Sequence, residues 1–189
     1  NCFAEEEGSL TNSSRVAIWK EASIALPGEA KVDSEIMALL FVKLREMYAK
    51  EGGAFPDAIA NLAWDYVQPK EPSSTELLRE INGKALADVL APADPANPTA
   101  PRAVLVKAGQ QLPGFAMLRD DGSTACGNWL YSGAWTEAGN MTARRSLDDP
   151  TGLGVYQNFG FSWPANRRIL YNRASADPSG KPWAPNKKY

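Results

Sequence analysis

Three carboxylate groupings are the first candidates for chemistry: Glu5-Glu6-Glu7, Asp120-Asp121 and Asp148-Asp149. Acid–base work needs two carboxyls held apart in a pocket that splits their pKa values. Neighbouring carboxyls in turn-forming sequence are solvated instead, and Asp120-Asp121 followed by Gly122 reads as a turn. Cys126, beside Gly127, is the next candidate, as a nucleophile or a cofactor ligand. The chain contains no histidine, so no imidazole can activate that thiol, which then reads as a small buried apolar group. The same lack excludes Ser-His-Asp and Cys-His machinery and every imidazole metal site. Cys2 and Cys126 are the two cysteines; they cannot build a four-thiolate zinc or iron–sulfur site, and they either pair as a disulfide or stand as separate thiols. Gly152-Leu153-Gly154 lacks the third glycine, the preceding strand and the following helix of a dinucleotide fingerprint, and no phosphate-loop motif is present. The residues therefore point to no catalytic, cofactor-binding or metal-ligating group within the chain.

The densest remaining feature mixes rings and guanidinium groups, from Trp129, Tyr131 and Trp135 through Arg144, Arg145, Trp163, Arg167, Arg168 and Arg173 to Trp183. Such a mixture fits a stacking platform for sugars or single-stranded nucleic acid, built on Trp129, Trp135, Trp163 and Trp183. It equally fits arginine forks that satisfy loop carbonyls while the rings pack as an irregular core. A sequence pI of about 5.3 speaks against nucleic acid. Charge is unevenly spread. Residues 1–90 carry nine Lys/Arg against fifteen Asp/Glu, a balance of −6, whereas residues 140–189 carry eight against three, a balance of +5. Because the arginines are dispersed among aromatics, we read the asymmetry as two ends of one chain pairing with each other or with neighbouring domains.

The chain has 189 residues, 44% of them hydrophobic and 22% charged, which suits one globular domain or slightly more. No charged n-region followed by an apolar run opens it, and its longest apolar stretch, Ile36 to Val42, is far too short to span a membrane. It begins at Asn1 without methionine, which reads as the inside of a larger protein or a processed form.

An α+β arrangement must position these groups. Val16-Ala17-Ile18-Trp19 suits a short strand. A helix is expected over 33–52, with Asp33 as N-cap, apolar residues at Ile36, Leu40, Leu44, Met47 and Tyr48, and Gly52-Gly53 at its end. A second is expected over 56–67, with Pro56 in its first turn and a stripe of Ile59, Leu62, Ala63 and Tyr66. A third, over 73–82, opens on the capping box Ser73-Ser74-Thr75-Glu76, with a further turn or two from Lys84 to Leu90. Residues 91–102 hold four prolines and read as a semi-rigid linker or surface loop. Beyond them strands are expected at 103–107 and 114–119, and a hairpin at Asp120-Asp121-Gly122 leads into Thr124 to Tyr131. From Ser132 onward the sequence has almost no period, as in an irregular segment that drapes over other protein. The resulting division is a helical layer over 1–90, the proline-rich run, and a hairpin and irregular segment over 103–189.

Several long strings resemble one family. Gly133-Ala134-Trp135-Thr136-Glu137-Ala138-Gly139-Asn140-Met141-Thr142-Ala143-Arg144-Arg145 is similar to the large, catalytic subunit of respiratory molybdenum- or tungsten-dependent formate dehydrogenases, of the molybdopterin oxidoreductases. So are Trp163 to Pro178, Gly180-Lys181-Pro182-Trp183, Cys2-Phe3-Ala4-Glu5-Glu6, Asn82-Gly83-Lys84-Ala85-Leu86-Ala87-Asp88 and Leu118-Arg119-Asp120-Asp121-Gly122, in the same order along the chain. Two departures are visible: Asn128 stands where family members have a second cysteine, and Tyr156 to Ser162 replaces a tryptophan- and glycine-rich stretch.

The resemblance implies a fragment of a subunit several times longer. The parent would bind bis(molybdopterin guanine dinucleotide), with molybdenum or tungsten, and an iron–sulfur cluster. It would oxidise formate to carbon dioxide, pass electrons to an iron–sulfur electron-transfer subunit and lie in the periplasm, attached to the membrane only through other subunits. This chain would be a slice of a Rossmann-like domain with the connection that follows it, inactive alone and without bound nucleic acid. Its partners would be the remaining domains of the parent and that subunit. Arg144, Arg145, Arg167, Arg168, Arg173, Trp135 and Trp163 are the residues expected at those interfaces.

Overall fold

Helix α1 spans Asp33–Glu51 in the computed structural model of the chain, which describes residues 4–12, 16–148 and 158–162. Asp33 opens the helix and does not cap it: the N-cap is Val32, in extended conformation and without a side-chain bond. Asp33 and Glu35 in the first turn favour the positive end of the helix. Gly52, at φ 70°, ends it by donating its N–H to the Tyr48 carbonyl, 3.0 Å away.

Helix α2 covers only Pro56–Ala60, five residues where 56–67 was expected. Residues beyond it find other partners. Trp64 packs its ring on Phe41 at a centroid distance of 4.2 Å and donates its indole N–H to the Pro69 carbonyl at 2.8 Å. The Val67 N–H goes to the Glu76 carboxylate, 2.9 Å away. Those bonds take the backbone out of helical register, and Pro69 could not have continued a helix. Helix α3, Ser74–Asn82, starts on the expected capping box: the Ser73 hydroxyl accepts from the Glu76 N–H and the Glu76 carboxylate accepts from the Ser73 N–H, both at 3.2 Å.

Strands are short and, in every pairing whose register is described, antiparallel. β1 (Gly8–Thr11), β2 (Val16–Lys20) and β9 (Phe161–Ser162) form a three-stranded sheet in the order β1-β2-β9. β3 (Lys84–Ala85) pairs with β6 (Thr124–Ala125), β4 (Val89–Leu90) with β5 (Val104–Val106), and β7 (Trp135–Thr136) with β8 (Gly139–Asn140). The stretch 84–90, expected as helical turns, thus supplies two strands. The proline-rich run 91–102 closes the loop between β4 and β5, with the Ala91 N–H on the Ala103 carbonyl at 2.8 Å.

Residues 114–119 are not a strand. Phe115–Met117 is a 3-10 turn, with Phe115 against Trp129 at 6.1 Å. The turn at Asp120-Asp121-Gly122 forms, Gly122 taking φ 83° and Asp121 accepting from the Ser123 N–H at 2.9 Å. Its base is closed by a side chain where a ladder was expected: the Thr124 hydroxyl accepts from the Arg119 N–H at 2.9 Å, leaving the Thr124 backbone to β3. Thr124 to Tyr131 is accordingly a two-residue strand followed by a 3-10 turn, Trp129–Tyr131. Two further expectations, a disulfide to Cys2 and the course of the chain after Trp163, lie outside the described residues; Cys126 is a free thiol.

The chain divides into two units, residues 1–8 with 21–77, and residues 9–20 with 78–189. The second holds both hydrophobic cores: Ala17, Trp19, Leu78, Ala134 and Phe161 in one, Ala85, Val89, Val106 and Leu112 in the other. In the first, the Arg45 guanidinium of α1 donates to the Ala60 carbonyl of α2 at 2.6 Å, and Phe41 of α1 meets Trp64, itself against Tyr66, in the segment after α2. Among its described residues Ala38 and Pro72 are buried; of the face expected to be apolar, Ile36, Leu40, Leu44 and Met47 are exposed and Tyr48 is half-buried.

Candidate functional site

The best-defined polar centre lies where α3 ends. Asn82 is fully buried, and a buried amide costs free energy unless its donors and acceptor are matched. Its Oδ1 accepts from the backbone N–H of Gly133 at 2.6 Å and of Trp135 at 3.1 Å. Its Nδ2 donates towards the Gly83 carbonyl at 2.9 Å, the Leu112 carbonyl at 3.1 Å and Gln111 Oε1 at 3.2 Å. Its own carbonyl accepts from the buried Ser132 hydroxyl at 2.9 Å. The Gln111 N–H in turn donates to the Glu137 carboxylate at 2.9 Å. One side chain thereby ties the helix end to two loops 29 and 53 residues further along.

Gly83 permits this closeness. It sits at φ 91°, and a Cβ there would stand 2.3 Å from the Ala125 carbonyl oxygen and 2.4 Å from Cys126 Cβ. Residues 125–128 follow the same helix end, the Gly127 and Asn128 N–H groups bonding the Glu80 and Ile81 carbonyls at 3.1 and 3.2 Å. Asn128 caps the next turn by accepting from the Leu130 N–H at 3.1 Å.

Arg144 and Arg145, expected at an interface, spend their guanidinium groups on carbonyls within the chain. Arg144 bonds Gly160 through Nε at 3.0 Å and Nη2 at 2.7 Å, and Met141 through Nε at 3.1 Å. Burial lowers its pKa, yet a guanidinium remains charged at neutral pH. Arg145 bonds the Thr142 carbonyl at 3.1 Å and the Trp19 carbonyl, and lies 5.8 Å from the Phe159 ring centroid. Both clamps hold residues 144–146 antiparallel to 158–160, with the Gly160 N–H on the Arg144 carbonyl at 2.8 Å. Asn140 sets the turn before them by accepting from the Thr142 N–H at 3.0 Å.

Trp135 is half-buried beneath the Arg79 guanidinium, 6.0 Å from its ring centroid. Trp129 is half-exposed against Phe115. The two rings are thus engaged by different neighbours and form no shared stacking surface. Arg167, Arg168, Arg173, Trp163 and Trp183 lie outside the described residues. The Asn82 centre was missed in the sequence, where Asn82-Gly83 signals only a helix end; its partners are too distant along the chain to leave a local pattern.

Among the described residues no group of three or more Cys, Asp or Glu side chains converges into a metal site. Asp120-Asp121 does the work of a turn. The Ser123 hydroxyl and N–H hold the Asp121 carboxyl below its ordinary pKa.

No family model matches the chain. It is similar along nearly all its length to larger proteins. It is 52% identical over 187 residues, 99% of the chain, to the formate dehydrogenase-O major subunit of Escherichia coli K12. It is 48% identical over 187 residues to the formate dehydrogenase major subunit of Haemophilus influenzae. It is 39% identical over 188 residues to formate dehydrogenase 2 subunit alpha (cytochrome c-553) of Nitratidesulfovibrio vulgaris. The chain spans about 18% of the length of the first of these and 17% of the other two.

Proposed function

We propose that this chain, a segment of a formate dehydrogenase major subunit, is structural framework for an enzyme that oxidises formate to carbon dioxide. The observation that carries the reading is the 52% identity extending over 99% of the chain. The metal–pterin group implied by the resemblance would take up the two electrons of that oxidation. The described residues do not fit it or an iron–sulfur cluster as ligands: there is one thiol, no imidazole and no convergent carboxylate set. No step of the reaction is therefore assigned to them. Their role is to hold loops in place, through Asn82 and the Arg144 and Arg145 clamps.

The same resemblance supports the finer reading. The chain is the end of a Rossmann-like domain with the connection after it, so the parallel sheet of that domain belongs to other parts of the polypeptide. Its boundaries are a layer over 1–90, the proline-rich run 91–102 and an irregular segment over 103–189. Arg144, Arg145, Arg167, Arg168, Arg173, Trp135 and Trp163 contact neighbouring domains or an iron–sulfur electron-transfer subunit. The parent binds bis(molybdopterin guanine dinucleotide) and lies in the periplasm, bound to the membrane through other subunits. No helix among the described residues is long and apolar enough to cross a membrane.

The test is the coding sequence on both sides of this segment, followed by expression of the whole polypeptide and an assay of formate-dependent dye reduction. The expected result is formate oxidation by the loaded protein. Arg144→Ala should lower the amount of assembled protein and leave turnover per bound metal unchanged. A loaded polypeptide that does not reduce dye with formate would refute the activity. Unchanged assembly of the Arg144→Ala protein would refute the structural role.

A further inference from the structure

We infer that Asn82-Gly83 is a latent modification site: a self-deamidating pair that the fold keeps silent, and whose reaction in an unfolded chain permanently removes the centre Asn82 builds. It is the single Asn-Gly pair in the sequence. In an open chain the Gly83 nitrogen attacks Asn82 Cγ with little hindrance, because glycine brings no Cβ and turns freely. A C–N bond forms, the bond from Cγ to the side-chain nitrogen breaks, and ammonia leaves carrying the Gly83 proton. Water then opens the five-membered imide at either carbonyl. The product is aspartate, or isoaspartate where the main chain now runs through Cγ. Nothing is oxidised or reduced, and water is the one co-reactant.

The folded chain blocks each part of this reaction. Asn82 is the last residue of α3, and the Gly83 N–H donates to the Arg79 carbonyl at 3.0 Å, so the attacking nitrogen is engaged in the helix end. Oδ1 is held by the Gly133 and Trp135 N–H groups. Nδ2, the leaving group, is held by the Gly83 and Leu112 carbonyls. Cγ reaches the nitrogen only by breaking bonds to two remote segments, and at 0% exposure neither water nor a base meets it.

The product suits the site as badly as the amide suits it well. A carboxylate has no proton to donate, so it would set a buried charge against the Gly83 and Leu112 carbonyls and Gln111 Oε1. Isoaspartate also lengthens the main chain beside Gly83, where one added carbon already meets the Ala125 carbonyl oxygen at 2.3 Å. A chain that deamidates before it folds cannot rebuild the tie from α3 to residues 111–112 and 133–135. The pair thus sets a time limit on folding, and afterwards records any opening of these loops.

Two measurements test this. The whole polypeptide is incubated at one pH and temperature, folded and in guanidinium chloride, and conversion at position 82 to aspartate and isoaspartate is followed by mass spectrometry after digestion. Conversion is expected to be at least a hundredfold slower in the folded protein. A smaller ratio would overturn the inference, because the pair would then react within the fold. Asn82→Asp next reproduces the aspartate product. Its soluble yield is expected to fall at least tenfold, or the Gly133 and Trp135 amides of what remains soluble to exchange at least tenfold faster. Asn97→Asp is the control: it adds the same charge at an exposed side chain that accepts a hydrogen bond from Thr99, and it should behave like the unaltered protein. Unchanged yield and exchange in Asn82→Asp would overturn the inference. So would equal losses in the two variants, because added charge alone would then explain them.

Discussion

Replacing Asn82 by alanine removes one side chain from a fully buried position and leaves the N–H groups of Gly133 and Trp135 without their acceptor. Each buried group left unpaired costs about 1–3 kcal/mol. Gly133 is buried and Trp135 half-buried, so the second belongs at the low end, and the pair comes to roughly 2–4 kcal/mol. The Leu112 carbonyl and Gln111 lose a donor as well, which adds about 1 kcal/mol. A loss of roughly 3–5 kcal/mol is a large part of a typical domain stability of about 5–15 kcal/mol. Ser132→Ala is the matched control, since it deletes one bond to the same residue at a cost of about 1 kcal/mol. Because the chain has two units, a single global midpoint is a poor measure, and amide hydrogen exchange resolved to residues 132–136 is the assay. Asn82→Ala should raise exchange at the Gly133 and Trp135 amides by at least a hundredfold, and Ser132→Ala by about fivefold, each 1.4 kcal/mol supplying a factor of ten. Equal exchange in the two variants would show that Asn82 does not organise these loops.

Gly83→Ala should destabilise by more than about 2 kcal/mol, since it strains a positive φ and drives a methyl into backbone; thermal unfolding compared with Gly109→Ala, which has positive φ but open space, isolates the clash. Arg144→Lys should cost about 1–3 kcal/mol because an ammonium cannot reproduce the two-pronged contact with Gly160; faster exchange of the Gly160 amide is the readout. Asp121 should titrate below the ordinary carboxylate range by carbon NMR, and Ser123→Ala should move its pKa upward. A depressed folded-state pKa means that the turn is supported above the unfolded-state pKa and loses that support as pH falls through the folded value, so the Ser123→Ala turn should respond less to acid.

Elements whose signals lie within a few residues were legible. The capping box at Ser73 and Glu76 and the Asp121–Gly122 turn are decided by side chains bonding nearby backbone, and the stop of α1 by the positive φ of Gly52, whose N–H bonds the Tyr48 carbonyl. The strand expected over Val16–Trp19, a short apolar run, forms as Val16–Lys20. Strand lengths were misjudged wherever a side chain outcompeted the ladder, as Thr124 does at Arg119. The short α2 has the same origin, with the Glu76 carboxylate claiming the Val67 N–H that a longer helix needed. Of the candidate site, the arginine clamps were readable as a residue type, but their acceptors were not. Gly160 and Trp19 lie 16 and 126 residues from the arginines that bind them.

Composition alone excluded histidine chemistry, and the long strings from Gly133 to Arg145 and from Asn82 to Asp88 pointed to a family, because residue identity and order need no folding to be compared. Burial is different in kind. Periodicity marks the apolar face of α1 without saying what meets it, and the folded chain packs Ala38 and Phe41 inward while Leu40 and Leu44 stay exposed. The fate of Asn82 was likewise settled by tertiary packing, since an amide is worth burying only where partners converge on it, here four from remote segments and the adjoining Gly83 carbonyl.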